Sequence, residues 1–108
     1  MPQLLATTCP HDGAPLLVRY GGVKMSRATV RARAWTMWRY REMLPIANDE
    51  EPISLGEGAT PLLALTALAA DSGDGALYLK DEGQNPTGSF KARGMSVAVT
   101  VAKRVGAA

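Results

Sequence analysis

The reading of "LYLKDEGQNPTGSFKARG", residues 77–94, decides the fold. Its first residues, within "ALYLKDE", have the composition and alternating faces of a short strand with a charged exit. Asn85-Pro86 and Thr87-Gly88 are turn formers. Ser89 is a natural helix cap. The following "FKARGMSVAVTVAKRVGAA", residues 90–108, has helical composition despite Gly94 and several valines. Strand, glycine-bearing loop and helix in this order form the half-unit of a parallel α/β sheet, so an α/β fold is expected, with the returning strand absent from these residues.

This arrangement sets Lys91 in the first helical turn, where the positive end of the helix dipole disfavours an ammonium. A lysine that bonds covalently to an aldehyde cofactor needs a fixed position, an environment favouring the neutral amine, and room for a planar ring. The loop offers plausible means for each. The competing reading is structural: a capped helix with a lysine lying along its surface.

Working outward, the totals bound what the motif can belong to. The chain has 108 residues, 46% hydrophobic and 20% charged, which is the composition of one globular domain. That length does not hold a two-domain enzyme with an enclosed site, so an enzyme carrying this motif is represented here by a piece. The formal charge of +2 does not argue for nucleic acid. The basic residues cluster, with Arg19, Lys24, Arg27, Arg31, Arg33, Arg39 and Arg41 uninterrupted by an acid, ahead of Asp49, Glu50 and Glu51. Such a pattern more commonly marks an amphipathic surface or docking face. Cys9 is the only cysteine, which excludes an internal disulfide and suits a reducing compartment. No apolar run approaches the ~20 residues of a membrane span. The expected location is cytoplasmic.

Upstream, "CPHDGAPLLVRY", residues 9–20, reads as a tight turn leading into a short strand. "SRATVRARAWTMWRYREML", residues 26–44, reads as a helix capped by Ser26, stopped by Pro45, and prone to break near Trp35. Trp35 and Trp38 are expected in packing rather than base stacking. Residues 45–63 are rich in Pro, Gly and acids and read as an extended connector. "LTALAADSG", residues 65–73, reads as a short helix ended by Ser72 and Gly73.

"NPTGSFKARG", preceded by "LYLKDEGQ" and, upstream, by "GEGATPLL", resembles the pyridoxal-phosphate enzymes of the tryptophan-synthase-β type (fold type II), and the threonine synthases among them most closely. The likeness covers roughly residues 36–108, including "MWRYREMLPI". It implies pyridoxal 5'-phosphate as cofactor, carried on Lys91, and conversion of O-phosphohomoserine and water to threonine and phosphate. Lys91 would then also transfer a proton. Thr60, Lys80, Asn85, Thr87 and Ser89 would lie near the site. Arg93 reads as a helix-surface ion pair, and Lys80 equally as a strand-end surface charge. A homodimer is implied for full-length relatives, with a small amino-acid substrate and neither nucleic acid nor membrane as partner.

The departures from the family shape the expectation. The Ser/Thr-Gly-Asn loop, the glycine-rich phosphate cradle and the polar partner of the ring nitrogen found in relatives have no counterpart in these residues, so the isolated chain is expected to be inactive. The front end resembles a Cys-x-x-Cys-Gly knuckle with Asp12 in the second cysteine position, a degenerate zinc-ribbon-like segment. Cys9, His11 and Asp12 are too few for a zinc site, and no metal is expected. The implied division is 1–25 for this segment, 26–60 for a helical and extended lead-in, and 61–108 for the start of the catalytic domain. A threonine dehydratase-like fragment, a non-catalytic partner-binding remnant and, last, a small basic RNA-binding domain remain as alternatives.

Overall fold

A computed structural model describes residues 8–47, 49–73 and 75–107. In chain order the elements are α1 (Arg27–Arg31), a 3₁₀ segment (Met37–Met43), β1 (Leu62–Ala64), α2 (Thr66–Ser72), β2 (Tyr78–Lys80), a 3₁₀ turn (Glu82–Gln84) and α3 (Lys91–Arg104). The chain is α/β, as expected.

Ser26 starts α1 by accepting the Thr29 N–H on its hydroxyl at 3.1 Å. Residues 26–44 do not continue as one helix. The chain leaves α1 after Arg31 and resumes at Met37 in 3₁₀ turns kinked at Tyr40. Tertiary contacts favour this fold-back. Arg39 donates from Nε and Nη2 to the Val30 carbonyl at 3.0 and 2.6 Å, and its guanidinium lies 4.1 Å from the centre of the Trp35 ring. Arg33 pairs with Glu42 at 2.5 Å and donates to the Arg39 carbonyl at 2.8 Å. Trp38 is buried, but Trp35 is 70% exposed, so only one of the pair packs in a core.

The front end corrects two expectations. Residues 9–14 form a tight turn, with the Cys9 N–H on the Ala14 carbonyl at 2.8 Å and the Gly13 N–H on the Cys9 carbonyl at 2.9 Å. Asp12 Oδ1 accepts the Ala14 N–H at 2.9 Å, so this side chain serves the turn. No group of three or more His, Cys, Asp or Glu able to hold a metal occurs among the described residues, and the zinc-ribbon likeness is not supported. The strand expected at "PLLVRY" does not form. A strand needs a partner for its backbone groups, and among the described residues Pro15 alone makes an isolated bridge, to Thr8. Residues 1–7 of the same proposed segment lie outside the described residues.

The strand at residues 78–80 is present, but its pairing differs from the parallel half-unit. β2 runs antiparallel to β1, with Leu62 opposite Lys80, Leu63 opposite Leu79 and Ala64 opposite Tyr78. β1 emerges from the end of what reads as an extended connector. The seven-residue α2 and its left-handed cap at Gly73 (φ 74°) return the chain beside β1. The Leu65 N–H to Leu77 carbonyl bond at 2.9 Å and the Asp81 N–H to Pro61 carbonyl bond at 3.0 Å extend the pairing at both ends.

The connector is strapped along α3. The Ile53 N–H donates to Thr100 Oγ1 at 2.9 Å, and Ser96 Oγ donates to the Ile53 carbonyl at 2.8 Å. Arg104 closes the far end on Glu50 at 2.7 Å. The buried stripe of α3 is accordingly small and polar: Ala92, Ser96 and Thr100. On its other faces Met95 and Val99 are exposed, as are Leu62, Leu63, Tyr78 and Leu79 in the ladder. The accessible surface of 8266 Å² exceeds the ~5,800 Å² expected of a compact monomer of this mass. The radius of gyration, 17.8 Å, likewise exceeds ~13 Å. Much apolar surface therefore lies uncovered in this chain. No helix among the described residues is long and apolar enough to cross a membrane.

Candidate functional site

The loop between β2 and α3 is built around one carboxylate. Glu82, in the 3₁₀ turn capped by Asp81, accepts from Thr60 Oγ1 at 2.6 Å, from Arg93 Nε and Nη2 at 2.6 and 2.8 Å, and from Asn85 Nδ2 at 3.0 Å. Asn85 also donates to the Glu82 carbonyl at 2.9 Å and accepts the Gly58 N–H on Oδ1 at 3.1 Å. Thr60 and Asn85 are buried, so their hydrogen-bonding groups require these partners. The Arg93 guanidinium beside Glu82, followed by the Thr60 hydroxyl, holds this carboxyl far below the usual range.

A second carboxylate fixes the turn that carries Gly58. Burial raises the Glu57 carboxyl, but donors from Ser54 at 2.6 Å and the Leu55 N–H at 3.1 Å outweigh it and leave the group below its ordinary value. The Glu57 carbonyl accepts the Met37 N–H at 2.8 Å. Gly58, at φ +100°, presses so closely on Met37 that an added Cβ would lie 2.5 Å from the Met37 nitrogen. The 56–58 turn thus connects the Trp38 region to the loop ahead of Lys91.

Lys91 opens α3. Its backbone N–H donates to Ser89 Oγ at 3.2 Å, and Phe90 between them already has helical backbone angles, so Ser89 acts as the cap expected of it one residue ahead of the assigned boundary. The Lys91 side chain is exposed, and no acceptor among the described residues engages its amine. Lys80 is different. Its amine donates to the Thr60 carbonyl from the end of β2. Thr87 is exposed in the loop. Thr60, Lys80 and Asn85 therefore meet around Glu82, Ser89 and Lys91 meet at the helix start, and Thr87 stands apart. Arg93 forms the expected ion pair, partly buried rather than on the open surface.

Sequence reading missed Glu82, Glu57 and Gly58. The signal for Glu82 was an acid in a turn followed by an arginine on the next helix, a pattern that does not reveal pairing across the loop. A cleft of about 170 Å³, lined in part by Trp35, Tyr40, Thr60, Lys80 and Arg93, adjoins the cluster. Larger depressions of about 410 Å³ near α1 and about 450 Å³ near Glu50 contain none of the residues around Lys91. An exposed amine on a capped helical turn, with no ion pair among the described residues, fits an aldehyde cofactor.

Comparison with known proteins bears on the same residues. A family profile described as "Pyridoxal-phosphate dependent enzyme" matches residues 53–108. A threonine synthase of Methanocaldococcus jannaschii is 47% identical over 83 residues, which cover 77% of this chain and 20% of that protein. One of Methanosarcina acetivorans is 41% identical over 105 residues, 96% of this chain and 25% of that protein. One of Mycobacterium bovis is 54% identical over 61 residues, 56% of this chain and 17% of that protein. The chain thus spans a quarter or less of these curated relatives. With just over half of its length matched by the family profile, this chain belongs to the pyridoxal-phosphate dependent enzymes.

Proposed function

We propose that this chain contributes the cofactor-bearing lysine of a threonine synthase-like lyase, one that converts O-phosphohomoserine and water to threonine and phosphate. The observation that carries the reading is the likeness to a threonine synthase over 105 residues of this chain, which include an exposed Lys91 on a capped helix start with no acceptor on its amine among the described residues. In this reading residues 61–108 begin a fold-type-II catalytic domain, 26–60 lead into it, and 1–25 precede it. The full assembly is a cytoplasmic homodimer that binds a small amino-acid substrate and no nucleic acid.

Bound pyridoxal phosphate supplies an aldehyde for attachment and a ring that withdraws electrons from the substrate. Lys91 Nζ holds the cofactor and afterwards moves a proton at the substrate carbon. Ser89 fixes the turn from which that amine projects. Thr60, Lys80, Asn85 and Thr87 border the site, Thr60 and Asn85 by shaping its floor through Glu82.

The test joins this chain to the remaining part of the Methanocaldococcus jannaschii threonine synthase and follows phosphate release from O-phosphohomoserine. Release that disappears in Lys91→Ala is expected. Conversion of threonine to 2-oxobutanoate without phosphate release would assign the dehydratase reaction instead. A folded fusion with neither activity would favour a non-catalytic, partner-binding chain, a reading that draws on the uncovered apolar faces of the ladder and α3.

A further inference from the structure

We propose that Glu82 is a positioning residue for Lys91, acting through Arg93 on the first turn of α3; this rests on the reading of Lys91 as the cofactor-bearing amine. The donors that converge on Glu82 come from three pieces of chain: Thr60 from the segment before β1, Asn85 from the loop, and Arg93 from α3. One carboxylate therefore ties the helix start to both neighbouring segments.

The geometry separates the grip from the reactive group. Lys91 and Arg93 are two residues apart, so at about 100° per residue their side chains leave the helix on nearly opposite sides. Arg93 is half-buried against Glu82 and Lys91 is exposed, as that relation requires. The carboxylate holds the turn from behind and leaves the amine in front. Helix ends fray first because their backbone groups lack intrahelical partners. At this end the hold consists of the Glu82 cluster and the Ser89 hydroxyl. The other end of α3 has its own clamp, Arg104 to Glu50 at 2.7 Å and to the Pro45 carbonyl at 3.2 Å. Arg104 thereby provides an internal control: cutting it loosens the same helix without touching Glu82.

The experiment treats the full chain with pyridoxal phosphate, reduces with borohydride and reads by peptide mass the ratio of modification at Lys91 to that at Lys24, an exposed lysine outside α3 and away in sequence from every residue substituted. The unsubstituted chain is expected to favour Lys91. Glu82→Gln and Arg93→Gln are expected to lower the ratio about fivefold or more, as small displacements of a reacting group do, while Arg104→Gln leaves it unchanged. Thr60→Val removes one donor with little change of shape; its smaller drop decides the matter if Glu82→Gln proves unfolded by circular dichroism. Selectivity retained in folded Glu82→Gln, or in Thr60→Val when Glu82→Gln is unfolded, overturns the proposal. An equal loss in Arg104→Gln also overturns it, since that result marks general loosening. A ratio near one in the unsubstituted chain overturns the cofactor reading of Lys91 and this proposal with it.

Discussion

Replacing Gly58 by alanine probes the joint on which the site rests. At φ +100° a residue with a side chain carries about 1–3 kcal/mol of backbone strain. The new Cβ would also lie 2.5 Å from the Met37 nitrogen and 3.1 Å from its Cα. Those are backbone atoms and cannot rotate away, so the turn must retreat. Retreat weakens the Met37 N–H to Glu57 carbonyl bond and the Gly58 N–H to Asn85 Oδ1 bond, each worth about 1 kcal/mol. The expected loss is therefore about 3–5 kcal/mol. Gly73→Ala provides the comparison. Gly73 also has positive φ, 74°, but nothing stands within 4 Å of an added Cβ, so only the left-handed strain of about 1–2 kcal/mol applies. Urea unfolding followed by tryptophan fluorescence, with Trp38 as the buried reporter, measures both variants. Equal losses at Gly58 and Gly73 would refute the close seating of the 56–58 turn on Met37.

Other consequences follow from the same contacts. Glu42 is held at about 2 by Arg33, and Glu82 and Glu57 are also depressed, so their stabilisation is complete above the ordinary glutamate range and declines as pH falls. Urea midpoints should hold near neutrality and drop from about pH 4.5 downward; a flat profile to pH 2 would contradict the pairings. Ser89→Ala should cost about 1 kcal/mol through loss of the cap, seen as a drop of several degrees in melting temperature. Trp38→Ala should cost about 3–5 kcal/mol from the core, whereas Trp35→Ala should forfeit only about 0.5–1 kcal/mol of contact with Arg39; similar losses in chemical denaturation would contradict their different burial.

What was legible in the sequence was local. Ser26, Ser89 and Gly73 announce helix ends because capping and left-handed turns depend on one or two side chains, and the break near Trp35 showed as an untidy apolar pattern. Long-range pairing was hidden. Leu62–Ala64 becomes a strand by meeting Tyr78–Lys80, whereas among the described residues "PLLVRY" makes only the Pro15 bridge to Thr8. The role of Glu82 was hidden for the same reason: its partners Thr60 and Arg93 lie twenty-two and eleven residues away. Lys91 stood out through family likeness; its position depends on side chains that the motif alone does not connect.

The most direct measurement is the site of pyridoxal phosphate attachment on this chain at low cofactor concentration, fixed by borohydride and located by peptide mass. The account predicts attachment concentrated at Lys91 and lost in Lys91→Ala, while Lys80, whose amine is held by the Thr60 carbonyl, stays largely unmodified. Attachment spread evenly over Lys24, Lys80, Lys91 and Lys103 would contradict it.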